Sequence, residues 1–281
     1  MPQLAVPRDP RAIDANRGLM LIVLGLVKKV IVSNTLAVSL VDPAFAAPGA
    51  LSGPDMLLAI YGYAVQIYCD FSGYTDMAIG CALLLGYRFP QNFDRPYTAT
   101  DPQDFWRRWH ISLSSWLRDY LYIPLGGSRD GRWHTARNLM ITMLLGGLWH
   151  GASWNFVIWG GLHGLYLVGH RAWAAQSWMA SLRASAAWRW VARLLLFHAV
   201  CAAWVFFRAP DLTLALQVFA RLAVPGALTL ASTGVIACLM LGLAGQYAPT
   251  RWGQAARTEF ARWAVPLRGA ALAGSCICFP N

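Results

Sequence analysis

Residues 101–127 read DPQDFWRRWHISLSSWLRDYLYIPLGG, and residues 138–164 read NLMITMLLGGLWHGASWNFVIWGGLHG. Each stretch sets one histidine, His110 or His150, among tryptophans and aliphatic residues. Placing an ionisable group in an apolar membrane segment costs about 3 kcal/mol or more, so both residues are candidates for function. A single histidine among tryptophans is more often a packing residue, and that alternative stays open for each of them.

Composition indicates a membrane protein. Of the 281 residues, 57% are hydrophobic and 13% are charged, and the mean hydropathy is +0.42. The 14 tryptophans and 10 tyrosines suit a membrane–water interface, where amphipathic rings settle. We predict an all-α, polytopic helical integral membrane protein with interfacial and re-entrant helices. Residues 1–281 are expected to form a single domain embedded in the lipid bilayer.

The charge and cysteine patterns exclude several other classes. A net charge of +10 would suggest nucleic acid as a partner of a soluble chain. Here the arginines flank apolar segments, which favours membrane orientation and anionic lipid, so no nucleic-acid partner is expected. The six cysteines show no CxxC spacing, and there is no HExxH motif. We therefore expect neither a metal site, nor a disulfide framework, nor a bound cofactor.

The first two apolar runs predict helices that cross or enter the membrane. Gly18–Val41 is long enough to span a bilayer, and Asp55–Leu85 forms a second run. The arginine-rich stretches 8–17 and 88–108 flank an uncharged turn around Pro48. By the positive-inside rule, both basic stretches and the loop Ser128–Arg137 are expected in the cytoplasm, with the Pro48 turn on the opposite side.

Charged residues interrupt both of these runs. Lys28 and Lys29 lie in the first run, and Asp70 and Asp76 lie in the second. Because lipid does not tolerate such groups, we expect the two acids to pair with the lysines or with an arginine. Around Gly73 the backbone is expected to unwind, which is allowed where it lines a cavity or is buried in protein.

The stretch beginning at Asp101 carries a helix start signal. Asp101 suits the N-cap, Pro102 suits the first helical position, and apolar residues recur every three or four positions to Leu121. This pattern predicts one amphipathic helix lying in the membrane interface. Asn138–Trp149 is too short to cross a bilayer alone, and the glycines of 146–151 indicate a broken or re-entrant segment with room for substrate beside His150.

Several stretches resemble one protein family. DFWRRWHISLSSWLRDYLYIPLGG and GGLWHGASWNFVIWGGLHG are similar to the two signatures of the membrane-bound O-acyltransferase family, in its bacterial alginate O-acetyltransferase branch. Three further stretches resemble that branch: GLVKKVIVSNTLA (25–37), YCDFSGYTDMAIG (68–80) and WVFFRA (204–209). The signature core covers about residues 66–170. Members of the branch are longer, with more helices before this point and an aromatic tail, so the resemblance implies a chain truncated at the N-terminus and altered at the C-terminus.

The resemblance implies roles for individual residues. His150 falls at the family's catalytic histidine and His110 at its second, more variable polar position. Trp149, Asn155 and His163 lie within the second signature as supporting residues. Asn155 could orient His150, although satisfying a helix backbone is nearly as good an interpretation. For His163 a packing role is favoured over a functional one.

The residues also indicate the chemistry. A histidine with a pKa near working pH can take the proton of an attacking hydroxyl, and burial of His150 among Trp149, Trp154 and Leu148 would keep it neutral. His110 could orient the acceptor or hold the developing oxyanion. Without a GxSxG elbow, direct transfer between two bound substrates is favoured over an acyl-enzyme.

The donor is expected to be an acyl-CoA, most simply acetyl-CoA. The arginines that could draw in its phosphates are Arg107, Arg108 and Arg118, although contact with lipid headgroups explains them as well. The acceptor is expected to be an extracytoplasmic polysaccharide such as alginate.

Three functional interpretations follow. The first is an O-acyltransferase of the bacterial inner membrane, multi-pass, which acetylates the polysaccharide directly or through a periplasmic or secreted acetyltransferase partner. The second is an acyl-relay or transport subunit whose partner completes the transfer. The third is an inactive truncated remnant.

Overall fold

The computed structural model describes residues 13–262 together with the isolated positions Gln3 and Ala5. Within this part every regular element is helical, which confirms the all-α prediction. The α-helices are α1 (Ala15–Leu26), α2 (Asn34–Leu36), α3 (Asp42–Ala46), α4 (Gly53–Leu84), α5 (Pro102–Arg108), α6 (Ile111–Leu117), α7 (Gly131–His150), α8 (Trp154–Ala174), α9 (Met179–Ala184), α10 (Ala186–Arg208), α11 (Leu212–Arg221), α12 (Thr233–Tyr247) and α13 (Thr250–Arg262). Shorter elements are the π-helical turns Val27–Ser33, Ala37–Val41 and Arg118–Tyr122 and the 3₁₀ turns Pro48–Ala50 and Pro96–Thr98.

Two helical stretches of the described chain are long and apolar enough to cross a membrane. One is the continuous run Ala15–Ala46, which contains α1, α2 and α3, and the other is α10. Only 28% and 39% of their most apolar windows are buried by the rest of the protein. The remaining apolar surface suits contact with lipid, because a water-soluble protein rarely exposes so much of it. Further spans remain a prediction.

The chain falls into two compact units. The first contains the described residues of 1–40, 65–92 and 231–281, and the second contains residues 41–64 and 93–230. Helix α4 contributes its first part to the second unit and the rest to the first unit.

In the first unit, α1 packs closely against α4 through glycines. A Cβ atom on Gly25 would lie 2.5 Å from the carbonyl oxygen of Gly73, and one on Gly18 would lie 2.9 Å from that of Gly80. The predicted unwinding near Gly73 is therefore wrong, because α4 is continuous from Gly53 to Leu84. The glycine lets two helix backbones approach each other instead.

The lysines and aspartates that interrupt the first two apolar runs form ion pairs with each other, as predicted. Lys28 Nζ lies 2.7 Å from Asp76 Oδ2, and Lys29 Nζ lies 2.5 Å from Asp70 Oδ1. Both lysines lie in the π-helical turn Val27–Ser33, whose wider geometry is typical of specialised positions inside helices. The Lys28 ammonium also lies 5.6 Å from the centre of the Tyr68 ring. These contacts neutralise charges within a predicted membrane span.

In the second unit, α7 pairs with α8 and α8 pairs with α10. A Cβ atom on Gly147 would overlap the carbonyl oxygen of Phe156, and one on Gly160 would overlap that of Met143. The predicted break within 146–151 is found at the last residue of that range, Gly151, because α7 continues without interruption to His150 and α8 starts at Trp154. Whether the segment is re-entrant in the membrane stays a prediction. The glycines of α7 create the α7–α8 contact, and the chain turns only at Gly151.

The predicted helix from Asp101 begins correctly but does not continue to Leu121. Asp101 Oδ1 accepts a hydrogen bond from the Asp104 N–H at 2.8 Å, and Pro102 is the first helical residue. The helix ends at Arg108, Trp109 is extended, and His110 adopts a left-handed conformation with φ 44°. The prediction of one helix is therefore wrong, because the chain bends before α6 starts.

Packing explains this bend. The Trp109 ring lies edge-on to Phe93 at 5.0 Å and 4.9 Å from the Trp204 ring, measured between centroids. In addition, the Asp94 N–H donates to the Arg108 carbonyl at 2.9 Å. Trp109 is thus drawn into the aromatic core at the cost of an unusual backbone conformation at His110.

Candidate active site

The structure brings His110 and His150 to one place. His110 precedes α6, and His150 is the last residue of α7. The Trp149 ring is close to both, with its centroid 6.4 Å from the His110 ring and 4.9 Å from the His150 ring. The Ser112 hydroxyl lies 3.3 Å from His110 Nδ1. Two histidines that are distant in sequence therefore share a site formed by the ends of two helices.

Aromatic rings surround His150. Trp159 meets it edge-on at 5.2 Å and Phe207 at 4.9 Å, again between centroids. Of the three expected neighbours, Trp149 lies against the His150 ring, with centroids 4.9 Å apart. Trp154 and Leu148 are 76% and 45% exposed, and their part in burying His150 stays a prediction. Phe207 was not predicted as a site residue, although the WVFFRA stretch that contains it carries part of the family resemblance.

Burial keeps both histidines neutral. They lie outside the two helical stretches that are long and apolar enough to span a membrane. Burial lowers the pKa of His150 to about 4. Burial, followed by the nearby His150, lowers the pKa of His110 to about 4. At neutral pH each ring therefore has one N–H donor and one nitrogen that can accept a hydrogen bond or a proton.

A cluster of unsatisfied polar atoms lies behind the Trp159 ring. His163 is 1% exposed, and its ring lies 4.9 Å from Trp159 and 5.0 Å from Trp106. Within the described part of the chain, His163 Nε2 has no hydrogen-bond partner, nor do the indole nitrogens of Trp106, Trp159 and Trp204. Leaving a buried polar group unpaired costs about 1–3 kcal/mol, so these atoms are suited to holding water or a polar part of a substrate.

Asn155 makes its hydrogen bond elsewhere. Its Nδ2 donates to the Ala209 carbonyl at 2.8 Å and so ties the start of α8 to the end of α10. Among the described residues no hydrogen bond joins Asn155 to His150. This contact matches the interpretation that Asn155 satisfies a helix backbone.

The three candidate donor-binding arginines differ in their surroundings. Arg108 Nε lies 2.9 Å from Asp104 Oδ1, and its Nη1 lies 3.7 Å from Asp94 Oδ2. Arg118 forms a two-pronged pair with the adjacent Asp119, at 2.7 and 3.1 Å. Arg107 is exposed and forms no ion pair with any described residue. Arg107 is therefore the best placed of the three to meet a new anion.

Potential metal ligands are scattered. Within the described residues, no group of three His, Cys, Asp or Glu side chains could hold a metal ion. Cys69, Cys201 and Cys238 are buried and Cys81 is exposed. The remaining two cysteines, Cys276 and Cys278, lie outside the described residues.

The fold and its exposed apolar helices together indicate a helical membrane protein, with His110 and His150 in its candidate site. The sequence profile of the membrane-bound O-acyltransferase (MBOAT) family matches residues 17–207, and the chain belongs to this family. The matched range contains both histidines and the aromatic residues around them.

Individual members of the family show which branch the chain is most similar to among the relatives compared. The chain is 48% identical over 198 residues to the probable alginate O-acetylase AlgI of Azotobacter vinelandii, a match covering 70% of this chain and 38% of the relative. It is 45% identical over 203 residues to the peptidoglycan O-acetyltransferase of Helicobacter pylori, covering 72% and 37%. A teichoic acid D-alanyltransferase of Streptococcus thermophilus is 32% identical over 162 residues, covering 54% and 39%. The chain thus matches less than half the length of each of these relatives.

Proposed function

We propose that this chain carries the histidine site of a membrane O-acyltransferase, which moves an acyl group from a thioester to a hydroxyl. The observation that carries the proposal is the meeting of His110 and His150 around Trp149. The acyl group is proposed to be acetyl, because identity is 45–49% to relatives named as O-acetylases or O-acetyltransferases and 30–32% to the D-alanyltransferases.

In the proposed reaction His150 is the general base. Its unprotonated ring nitrogen takes the proton of the acceptor hydroxyl as the hydroxyl oxygen attacks the thioester carbonyl. A carbon–oxygen bond forms and the carbonyl oxygen becomes an oxyanion, towards which the neutral His110 ring donates its N–H. The carbon–sulfur bond then breaks, and the leaving thiolate receives the proton from His150. Atoms and charges balance without a covalent enzyme intermediate.

The proposed donor is acetyl-CoA, approaching from the cytoplasm, and the proposed acceptor is an extracytoplasmic polysaccharide such as alginate. The acetyl group reaches the polysaccharide either directly or through a hydroxyl of a periplasmic or secreted partner protein. The proposed location is the bacterial inner membrane, with several spans. The names of the alginate and peptidoglycan relatives support a polysaccharide acceptor.

The test measures where the radiolabelled acetyl group of acetyl-CoA is transferred. The chain is reconstituted in proteoliposomes, radiolabelled acetyl-CoA is supplied on one side and polymannuronate on the other, and a full-length relative is assayed in parallel. Direct transfer predicts label on the polysaccharide. Label that appears only when a partner with an acceptor serine is added would favour the relay. Intact thioester after incubation with correctly inserted chain and partner would contradict the proposal for this chain.

Arg107 gives a separate test of the donor. Arg107→Glu is expected to raise the apparent KM for acetyl-CoA and to make it more dependent on salt, because the exposed guanidinium would otherwise attract the donor phosphates. Arg132→Glu, at an exposed arginine near the start of α7, is the matched control. An equal effect of both substitutions, or a change in membrane insertion alone, would indicate that Arg107 contacts lipid headgroups.

A further inference from the structure

The second unit contains a cavity of about 420 Å³ that none of the proposed catalytic residues lines. It is bounded by the start of α5, the C-terminal part of α8, α9 and the N-terminal half of α10. Two arginines, Arg183 and Arg189, line it together with the tryptophans Trp173 and Trp188. Leu195, Leu196 and Ala199 of α10 form its apolar side. The cavity is therefore basic and aromatic at one end and aliphatic along α10.

We propose that this cavity binds an anionic phospholipid, with the phosphate at Arg183 and Arg189 and an acyl chain along α10. The position supports this ligand. Helix α10 is one of the two candidate membrane spans, and the arginines lie at its N-terminal end or just before it. Leu195 is 60% exposed, so the aliphatic side of the cavity continues onto the surface that faces lipid. A lipid bound here would place its headgroup at the basic end of the cavity, beyond the span, and an acyl chain on the aliphatic side along α10.

The charges at the cavity favour an anion. Arg189 forms no hydrogen bond through its side chain and no ion pair with any residue of the described chain. Asp101 supplies a negative charge, but its carboxylate already accepts from the Asp104 N–H. Burial lowers the pKa of His170, which Arg183 lowers further and Asp101 raises. The histidine is therefore neutral at neutral pH, and the two guanidinium groups outweigh the carboxylate.

The aromatic residues at this end of α10 are of the kind found at the depth of the lipid headgroups. The Trp173 and Trp188 rings are stacked with centroids 5.3 Å apart. Nearby, the Arg193 guanidinium lies 4.8 Å from the Trp190 ring, and its Nε donates to the Thr98 carbonyl at 3.1 Å. Tryptophan with arginine is the composition expected at the membrane interface, on the cytoplasmic side where basic residues collect. Anionic lipid is attracted to such basic sites in the cytoplasmic leaflet.

The phosphates of coenzyme A offer the same chemistry to two arginines, and the test separates the two sources. Purified chain in neutral detergent is titrated with dioleoylphosphatidylglycerol, dioleoylphosphatidylcholine or coenzyme A, and binding is followed by native mass spectrometry and by the shift in Tm. We expect phosphatidylglycerol to bind and raise the Tm and phosphatidylcholine to have little effect, whereas any binding of coenzyme A should be unchanged by Arg189→Gln, because the proposed donor site lies elsewhere. Stabilisation by coenzyme A that is lost in Arg189→Gln, without stabilisation by phosphatidylglycerol, would overturn the proposal.

Substitutions locate the site. Arg183→Gln with Arg189→Gln should weaken phosphatidylglycerol binding at least ~tenfold, since charge-assisted hydrogen bonds are lost. Arg132→Gln, at an exposed arginine outside the cavity, should leave binding unchanged. If the double variant does not fold, Arg189→Gln alone should still weaken binding, and Arg189→Lys should restore most of it. Equal binding by wild type and Arg189→Gln would overturn the assignment.

Discussion

At the scale of single residues, the buried polar groups divide into those with and those without hydrogen-bond partners in the described chain. His163 is enclosed by Phe105, Trp106, Trp159 and Trp204, yet its Nε2 finds no hydrogen-bond partner in the described chain. An apolar ring of similar size would fill this space without burying an unpaired nitrogen. Nε2 is therefore suited to a hydrogen bond with water or with part of a substrate.

His163→Phe tests this idea, because phenylalanine keeps the ring but removes both nitrogens. Acyl transfer should fall while the Tm stays equal or rises, since an unsatisfied buried polar group is lost. The rate of transfer and the Tm in detergent are measured on the same preparations. Unchanged transfer with an equal or higher Tm would leave His163 with a packing role only.

Asp55 is a buried polar residue with hydrogen-bond partners, and the sequence did not predict its structural role. It is 2% exposed at the start of α4, and its carboxylate accepts from the N–H groups of Thr229 and Leu230 at 2.7 and 2.8 Å and from the Thr229 hydroxyl at 2.7 Å. Burial raises the pKa of Asp55, but these hydrogen bonds outweigh burial and lower it overall. The carboxylate thus ties the distant segment around Thr229 to α4.

Asp55→Asn should destabilise the fold by about 2 kcal/mol, because the hydrogen bonds lose their charged acceptor and an amide NH₂ group replaces the oxygen that accepts from the Thr229 hydroxyl. In the wild type, the stability from Asp55 is present above the unfolded pKa, about 3.9, and is lost as the pH falls through the lowered folded pKa. The Tm of the wild type should therefore drop more than that of the variant below about pH 4. Parallel pH profiles would contradict this account.

At the scale of elements, local signals predicted helix starts better than interruptions. The Asp101 cap and Pro102 form a local pattern and were confirmed. The bend at His110 was not predictable, because neither glycine nor asparagine marks it and the cause is packing of Trp109 against Trp204, far along the chain. The glycines of 146–151 indicated a break, which the structure places at Gly151, whereas Gly147 lies inside α7 and packs against α8. Composition does not distinguish these two uses of glycine.

Gly147 and Gly161 form a matched pair for testing the α7–α8 contact. A Cβ atom on Gly147 would overlap backbone of Phe156, whereas one on Gly161 would lie 3.7 Å from Leu144 Cδ2, an ordinary contact. Gly147→Ala should therefore cost about 1–3 kcal/mol and reduce transfer by displacing His150. Gly161→Ala should be neutral or slightly stabilising in thermal unfolding. Similar behaviour of the two variants would refute close packing at Gly147.

At the scale of the whole molecule, composition predicted a helical membrane protein, and family membership supports it. The number of spans is harder to predict, because glycine-rich and charged helices such as α4 and α7 do not have the composition of a simple span. The meeting of His110 and His150 also depends on contacts that no local pattern encodes. Resemblance to a family singled out the two residues, and the fold then placed them together.

Cysteine labelling tests the predicted topology. Gly49→Cys introduces a side chain where none of the described atoms lies within 4 Å, and Arg132→Cys replaces an exposed residue. With the exposed Cys81 and also Cys276 and Cys278 changed to serine, a membrane-impermeant maleimide should label position 49 from outside and position 132 only after permeabilisation. Labelling of both positions from the same side would contradict the assignment.

The central claim is that His150 is the base of acyl transfer, and its most direct test is the transfer rate per correctly inserted His150→Ala protein. A positioned base contributes about 10²–10⁴-fold, so the rate should fall by at least this factor while the Tm changes little. His150→Gln should be nearly as inactive, because the amide cannot accept a proton at neutral pH, and His110→Ala should be milder. Near-normal transfer by His150→Ala would contradict the account, and a loss of activity matched by a loss of folded protein would leave His150 with a packing role.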